Sequence, residues 1–304
     1  MSSIAAVLII TSAFMHAGWN FISKRRNPSL AFFLIAAASG SLVMSPSLII
    51  HRQVLPHISL TAWGLIGLTG MAQAIYLFGL AGAYKRGDIS LAYPLARALP
   101  VLMVAGISLT AGNGGDIGRM GLFGMVLITI GCVMLPFPHF KRMRLQEYFS
   151  VVYLFALIAA IGTTGYTLLD DQALRLLRES TDIQLTHRQL TLLYISFQTA
   201  STFVMAALAI GFMPHERRNL VDILQNRQLF FTSALTGVVI MATYGLVLAA
   251  LAFVSNVSYV AAFRQLSIPI GAVLGMTLQG EPKYRPKLVG IAIVSIGLIF
   301  VGFG

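Results

Sequence analysis

Charge is what this sequence has least of. Only 10% of its 304 residues are Asp, Glu, Lys or Arg, against about 25% in an ordinary soluble domain. With 57% hydrophobic residues and a mean hydropathy of +0.81, that scarcity points to an integral membrane protein. Cysteine is nearly missing too: the single Cys132 excludes an internal disulfide and a cysteine-built metal cluster. There is no glycine-rich nucleotide loop, no H-E-x-x-H pair and no G-x-S-x-G elbow, so no motif indicates catalysis, a metal or a cofactor. Ser2 and Ser3 lead into an apolar run without a basic region, unlike a cleavable signal peptide.

What charge there is leans positive, with 21 Lys and Arg against 10 Asp and Glu. A net charge of +11 would suit nucleic acid, but the basic residues sit at the ends of apolar segments. That is the distribution of anchors facing anionic lipid headgroups, so membrane lipids and not nucleic acid are the expected partners.

Ten apolar segments are legible, over 4–23, 29–50, 58–84, 89–112, 118–136, 148–169, 189–212, 229–254, 257–279 and 287–303. Each is long enough, or nearly so, to cross a bilayer as a helix. The polar stretch from Asp170 to Arg188 reads either as a short interfacial helix or as a solvated loop. The chain also repeats itself. Gly18-Trp19 near the end of the first segment matches Gly165-Tyr166 near the end of the sixth, and Tyr76-Leu77-Phe78-Gly79 matches Tyr244-Gly245-Leu246-Val247. Tyr93 to Val101 matches Val260 to Pro269, and Gly124 and Gly131 match Gly290 and Gly297. Five spans followed by five place the second half in the membrane upside down. The expectation is an all-α membrane protein of ten transmembrane helices in two inverted five-helix repeats, 1–140 and 141–304. Outside Arg97 and Arg264, 14 of 19 Lys and Arg lie in connections after odd-numbered spans, which puts those connections in the cytoplasm and both termini outside.

Arg97 and Arg264 are the exceptions to the charge pattern. Arg97 lies between Pro94 and Pro100, about eight residues into its segment and thus roughly 12 Å deep. A charge at that depth costs several kcal/mol unless it faces water, a partner or a ligand. All ten acidic residues fall at span ends or in loops by this reading, among them Asp88, Asp116, Glu147, Asp170 and Glu281. Two readings stand. The arginines, in related places of the two repeats, converge on one cavity and attract an anion. Alternatively, each caps backbone carbonyls near its proline or reaches Asp88 or Asp170.

Other polar groups cluster by spacing. His16 and Asn20 share a helical face beside Trp19, Gln73 precedes Tyr76 by three residues, and Tyr93 precedes Arg97 by one turn. Tyr166, Tyr244 and Gln265 add polar tips in the second half. Together they make a candidate substrate pocket. Placement as interhelical glue or as an interfacial aromatic belt is the other reading of the same residues. For energy coupling, His16 is the first proton candidate. Asp170 and Asp171 are the second, and exchange or facilitated diffusion the third.

The residues His16-Ala17-Gly18-Trp19-Asn20 with Lys24, then Arg86-Gly87-Asp88-Ile89-Ser90 leading to Tyr93-Pro94-Leu95-Ala96-Arg97, resemble the drug/metabolite transporter superfamily, specifically its EamA-like ten-helix members. Ala261-Ala262-Phe263-Arg264 and Gly280-Glu281 followed by Gly290 complete the likeness, which covers essentially the whole chain. Two departures stand out: Gly112-Asn113 where Gly-Glu is expected, and Arg264-Gln265 where the related branch often carries Arg-Glu. Many members resemble one another in having cytoplasmic termini, contrary to the loop count above. The resemblance implies a secondary transporter, not an enzyme, in a bacterial inner membrane, acting as monomer or homodimer on a small polar metabolite with an anionic group. An amino acid, organic acid or phosphonate would fit. A multidrug-type exporter or a lipid-linked sugar translocation component are the alternatives. The substrate-binding set expected is Arg97, Arg264, His16, Asn20, Gln73, Tyr76, Tyr93, Trp19, Gln265 and Tyr244.

Overall fold

The computed structural model describes residues 3–24, 28–86, 89–111, 117–135, 137–140, 151–278 and 282–303. The side chains of 21–24, 89–95 and 275 are outside that description. Lys24, Asp88, Gly112-Asn113, Asp116, Glu147 and Gly280-Glu281, all used above, fall wholly or in their side chains outside the described residues. No strand occurs among the described residues.

The helices are α1 (Ser3–Lys24), α2 (Leu30–Ile50), α3 (Leu60–Arg86), α4 (Ile89–Thr110), α5 (Arg119–Met134), α6 (Val151–Glu179), α7 (His187–Gly211), α8 (Pro214–Gln225), α9 (Arg227–Ala250), α10 (Val257–Phe263), α11 (Ser267–Leu278) and α12 (Arg285–Phe303). Among the described residues, eight helical segments, α10 and α11 counted as one, are long and apolar enough to cross a membrane. Two shorter apolar stretches, Ala96–Thr110 of α4 and Arg119–Met134 of α5, accompany them. Many large apolar side chains point outward, including Val7, Phe14, Leu42, Leu154 and Leu208. An apolar exterior around buried polar groups inverts the arrangement of a soluble protein and matches a hydrocarbon solvent. The chain is an all-α, multi-pass membrane protein.

Helix pairing sets the position of everything else. α3 packs on α6 and α1 on α9; α2 packs on α9 and α3 on α7; α4 packs on α6 and α1 on α11. α2 also meets α7, and α5 meets α12. Glycine makes the tightest approaches possible. A Cβ at Gly124 would lie 2.5 Å from the Gly297 carbonyl oxygen, and one at Gly297 would lie 2.7 Å from that of Gly124. Gly131 and Gly290 show the same reciprocity, at 2.7 Å each way. Without hydrophobic drive between helices in lipid, such backbone contact supplies the van der Waals energy of association.

Three elements differ from the expectation. α6 does not stop at Leu169 but runs on through the supposed interfacial stretch to Glu179, because Ala173, Leu174 and Leu177 are buried against neighbouring helices. The ninth span is not continuous: a 3-10 turn at Arg264–Leu266 separates α10 from α11. Pro269 accounts for it, since its ring clashes with the carbonyl four residues back and it has no N–H to offer. α8 is an additional, amphipathic helix between α7 and α9. It opens on Pro214, and the buried Glu216 of its first turn accepts the Ala31 N–H at 2.9 Å, capping the start of α2.

Candidate functional site

Between α1, α2, α3, α7 and α9 lies a cavity of about 850 Å³, its open mouth included. Both candidate arginines line it. Arg97, on α4 in the first half, and Arg264, at the break between α10 and α11 in the second, are 5% and 8% exposed. Arg97 Nη2 donates to the Arg264 carbonyl oxygen at 3.0 Å and to Ser267 Oγ at 2.8 Å. The helix break is what presents that carbonyl. Arg264 Nη2 donates to Tyr166 Oη at 3.0 Å, and Nη1 to Thr167 Oγ1 at 3.4 Å. Its guanidinium carbon sits 5.2 Å from the Tyr244 ring centre and 5.7 Å from that of Tyr166. Among the described residues, Arg264 has no carboxylate within ion-pair distance. Its charge is held by ring faces and hydroxyls instead.

Aromatic rings form much of the wall. Tyr76 meets Tyr166 edge-on with centroids 5.7 Å apart, and Tyr166 meets Tyr244 likewise at 5.3 Å. Trp19 crosses the His16 ring at 4.9 Å and donates its indole N–H to His16 Nδ1 at 3.2 Å. With Nδ1 accepting, the neutral imidazole carries its hydrogen on Nε2. Nε2 is buried and has no hydrogen-bond partner among the described residues, while His16 lines the cavity. It is an uncommitted N–H donor in a confined apolar space, and Gln73 lines the same space.

Seven of the ten expected site residues, Arg97, Arg264, His16, Gln73, Tyr76, Trp19 and Tyr244, therefore surround one cavity. Two turn elsewhere. Asn20 donates to the His16 carbonyl at 2.9 Å and accepts from Tyr84 Oη at 3.2 Å, tying α1 to α3. Gln265 is buried, donates to the Ala261 carbonyl of α10 at 2.9 Å and is not among the residues that line the cavity. Tyr93 belongs to α4, with its side chain outside the described residues. The sequence reading missed Gln198, Thr199 and Thr202, which line the cavity from α7. Their spacing of one helical turn was the available signal.

The larger correction concerns the acids. Asp170 is not at a span end: it lies inside α6 with 0% exposure. Oδ1 accepts from Thr69 Oγ1 at 2.9 Å and from Tyr194 Oη at 2.7 Å, and Oδ2 accepts from the Tyr244 hydroxyl. A buried carboxylate thus sits one tyrosine away from Arg264. Its neighbour Asp171 bonds Arg175 Nε at 3.0 Å, and Arg175 and Arg178 reach the Ser255 and Leu251 carbonyls. Among the described residues no cluster of three or more metal-ligating side chains forms.

A solved crystal structure of a protein covering 100% of this chain and 98% of its own superposes with a TM-score of 0.68 at 15% identity, a likeness of fold alone. No family model matches the chain, and no curated protein matches it significantly.

Proposed function

We propose that this protein is a secondary transporter, working by alternating access, for a small polar metabolite with an anionic group. The observation that carries the reading is the convergence of Arg97 and Arg264, from opposite halves of the chain, on one aromatic-walled cavity. Arginine remains charged at any working pH, and its planar fork matches carboxylate, phosphate and phosphonate. In a low-dielectric setting such a group is expensive to keep and is functional by default. The His16 Nε2–H adds a donor and the tyrosine rings add apolar contact for the rest of the solute.

We propose further that the ten spans form two inverted repeats, 1–140 and 141–304, and that the chain is an EamA-like member of the drug/metabolite transporter superfamily. The matched pairings support the first point: exchanging the halves turns α3–α6 into α9–α1, α2–α9 into α7–α3 and α4–α6 into α11–α1. The reciprocal glycine contacts of α5 and α12 have the same twofold form. So does the pair Gly70 against Ser201 and Gly237 against Ala36. The motif order in the two halves supports the second point.

The test is a thermal-shift screen of purified protein against amino acids, organic acids and phosphonates, repeated with Arg264→Gln. Anionic compounds should raise the unfolding temperature of the native chain and not of the variant. Shifts confined to lipophilic cations, or a folded variant that responds unchanged, would overturn the proposal. A cation exporter would present an acid to its cargo, and no carboxylate lines the cavity among the described residues.

A further inference from the structure

We propose that Asp170 is a proton-binding site whose state is carried to the cavity by the hydroxyl of Tyr244. This rests on the transport reading above and adds to it the species that moves with the solute. The carboxylate is wholly buried, and its three partners are hydroxyls from three other helices: Thr69 on α3, Tyr194 on α7 and Tyr244 on α9. Among the described residues no arginine, lysine or histidine lies within ion-pair distance of it. The charged and titratable groups around it are Tyr194, Tyr244 and, behind the Tyr244 ring, Arg264. On its own helix are Asp171, engaged with Arg175, and Arg178. A fixed structural carboxylate in this medium would be expected to hold a direct cation. Asp170 instead holds groups that can turn.

The geometry favours one oxygen. Oδ1 takes two donors and Oδ2 takes one, so a proton added at Oδ2 displaces a single hydrogen bond. With Asp170 ionised, Tyr244 donates to Oδ2. When hydronium from solvent gives its proton to Oδ2 and leaves as water, the new O–H faces the Tyr244 oxygen, which must become the acceptor. No covalent bond in the protein breaks: Tyr244 keeps its hydrogen, which rotates away from Asp170. Tyr244 lines the cavity and lies against Arg264, so the rotation adds a donor where an anion would sit. Proton and anion then favour each other's binding by linkage, and the coupled process is anion–proton co-transport. His16 is less suited to the task, since a proton at Nδ1 would break its bond from Trp19.

The experiment is infrared difference spectroscopy of the full chain in lipid vesicles, without added solute, from mildly alkaline to mildly acidic pH. The native protein should develop one protonated-carboxyl band that Asp170→Asn lacks and that Asp170→Glu moves in frequency. Tyr244→Phe should displace the pH midpoint of that band by about one unit or more, as expected for loss of a hydrogen bond to a buried carboxylate. Absence of a band sensitive to Asp170→Glu would overturn the proton site, and an unmoved midpoint in Tyr244→Phe would overturn the link. An anion screen without a ligand would sink the transport reading and leave this titration intact, so the two failures are distinct.

Discussion

At the scale of single residues, the structure separates positions that look alike in sequence. Gly106 and Gly237 both lie in membrane helices, yet a Cβ at Gly106 meets nothing within 4 Å and one at Gly237 would be 2.0 Å from the Ala36 carbonyl oxygen. Gly106→Ala should be neutral or stabilising by up to about 1 kcal/mol. Gly237→Ala should cost about 1–3 kcal/mol, because backbone and not a flexible side chain must move. Thermal unfolding in matched detergent measures both. Glu216 offers a second case. Its carboxylate accepts the Ala31 N–H at the positive end of α2, so Glu216→Ala should lower stability by about 1–3 kcal/mol and leave anion binding unchanged.

At the scale of elements, hydropathy made most spans legible, and the exceptions share a cause. Apolar runs mark where a helix meets lipid or apolar neighbours. They are blind to a helix whose polar residues are covered by partners distant in sequence. Asp170 ended the sixth apolar run, yet α6 continues because Thr69, Tyr194 and Tyr244 meet its carboxylate from helices up to 101 residues away. No linear pattern encodes that meeting. α8 was legible in principle, since Pro214 at a helix start, Glu216 in the first turn and apolar residues at Leu220, Ile223 and Leu224 are start signals and helical spacing. The break after α10 had Pro269 as its signal, but its purpose shows only in three dimensions, where Arg97 donates to the Arg264 carbonyl within the 3-10 turn. Ser267 holds that carbonyl too, at 3.0 Å. Ser267→Ala should therefore loosen the break, with a loss of about 1–3 kcal/mol read by denaturant or heat.

The site itself was half legible. Arg97 and Arg264 stood out because charge is rare in such spans, and His16, Gln73 and the tyrosines followed from spacing. Asn20 and Gln265 fit the same pattern but donate their amide N–H groups to backbone carbonyls four residues back. Polarity within a span identifies a group that needs a partner, without saying whether backbone or solute provides it.

At the scale of the whole molecule, orientation is a prediction: by the positive-charge count the connections after α3, α5 and α7 are expected in the cytoplasm. Cys132 is buried, so the native chain is a quiet background for labelling. A cysteine replacing Arg218, on α8 after α7, should react with an impermeant thiol reagent only once cells are opened. Labelling in intact cells would assign the opposite orientation and place both termini inside.

The reciprocal glycines of α5 and α12 carry a mechanical consequence. Two backbones in contact at two points cannot slide past one another without collision, nor separate without losing their contact energy. A rearrangement that opens the cavity to alternate sides is therefore expected to carry α5 and α12 together as one body, their seam unchanged. Spin labels across α5 and α12 should keep one narrow distance in every state, while labels across α2 and α7 should show the travel.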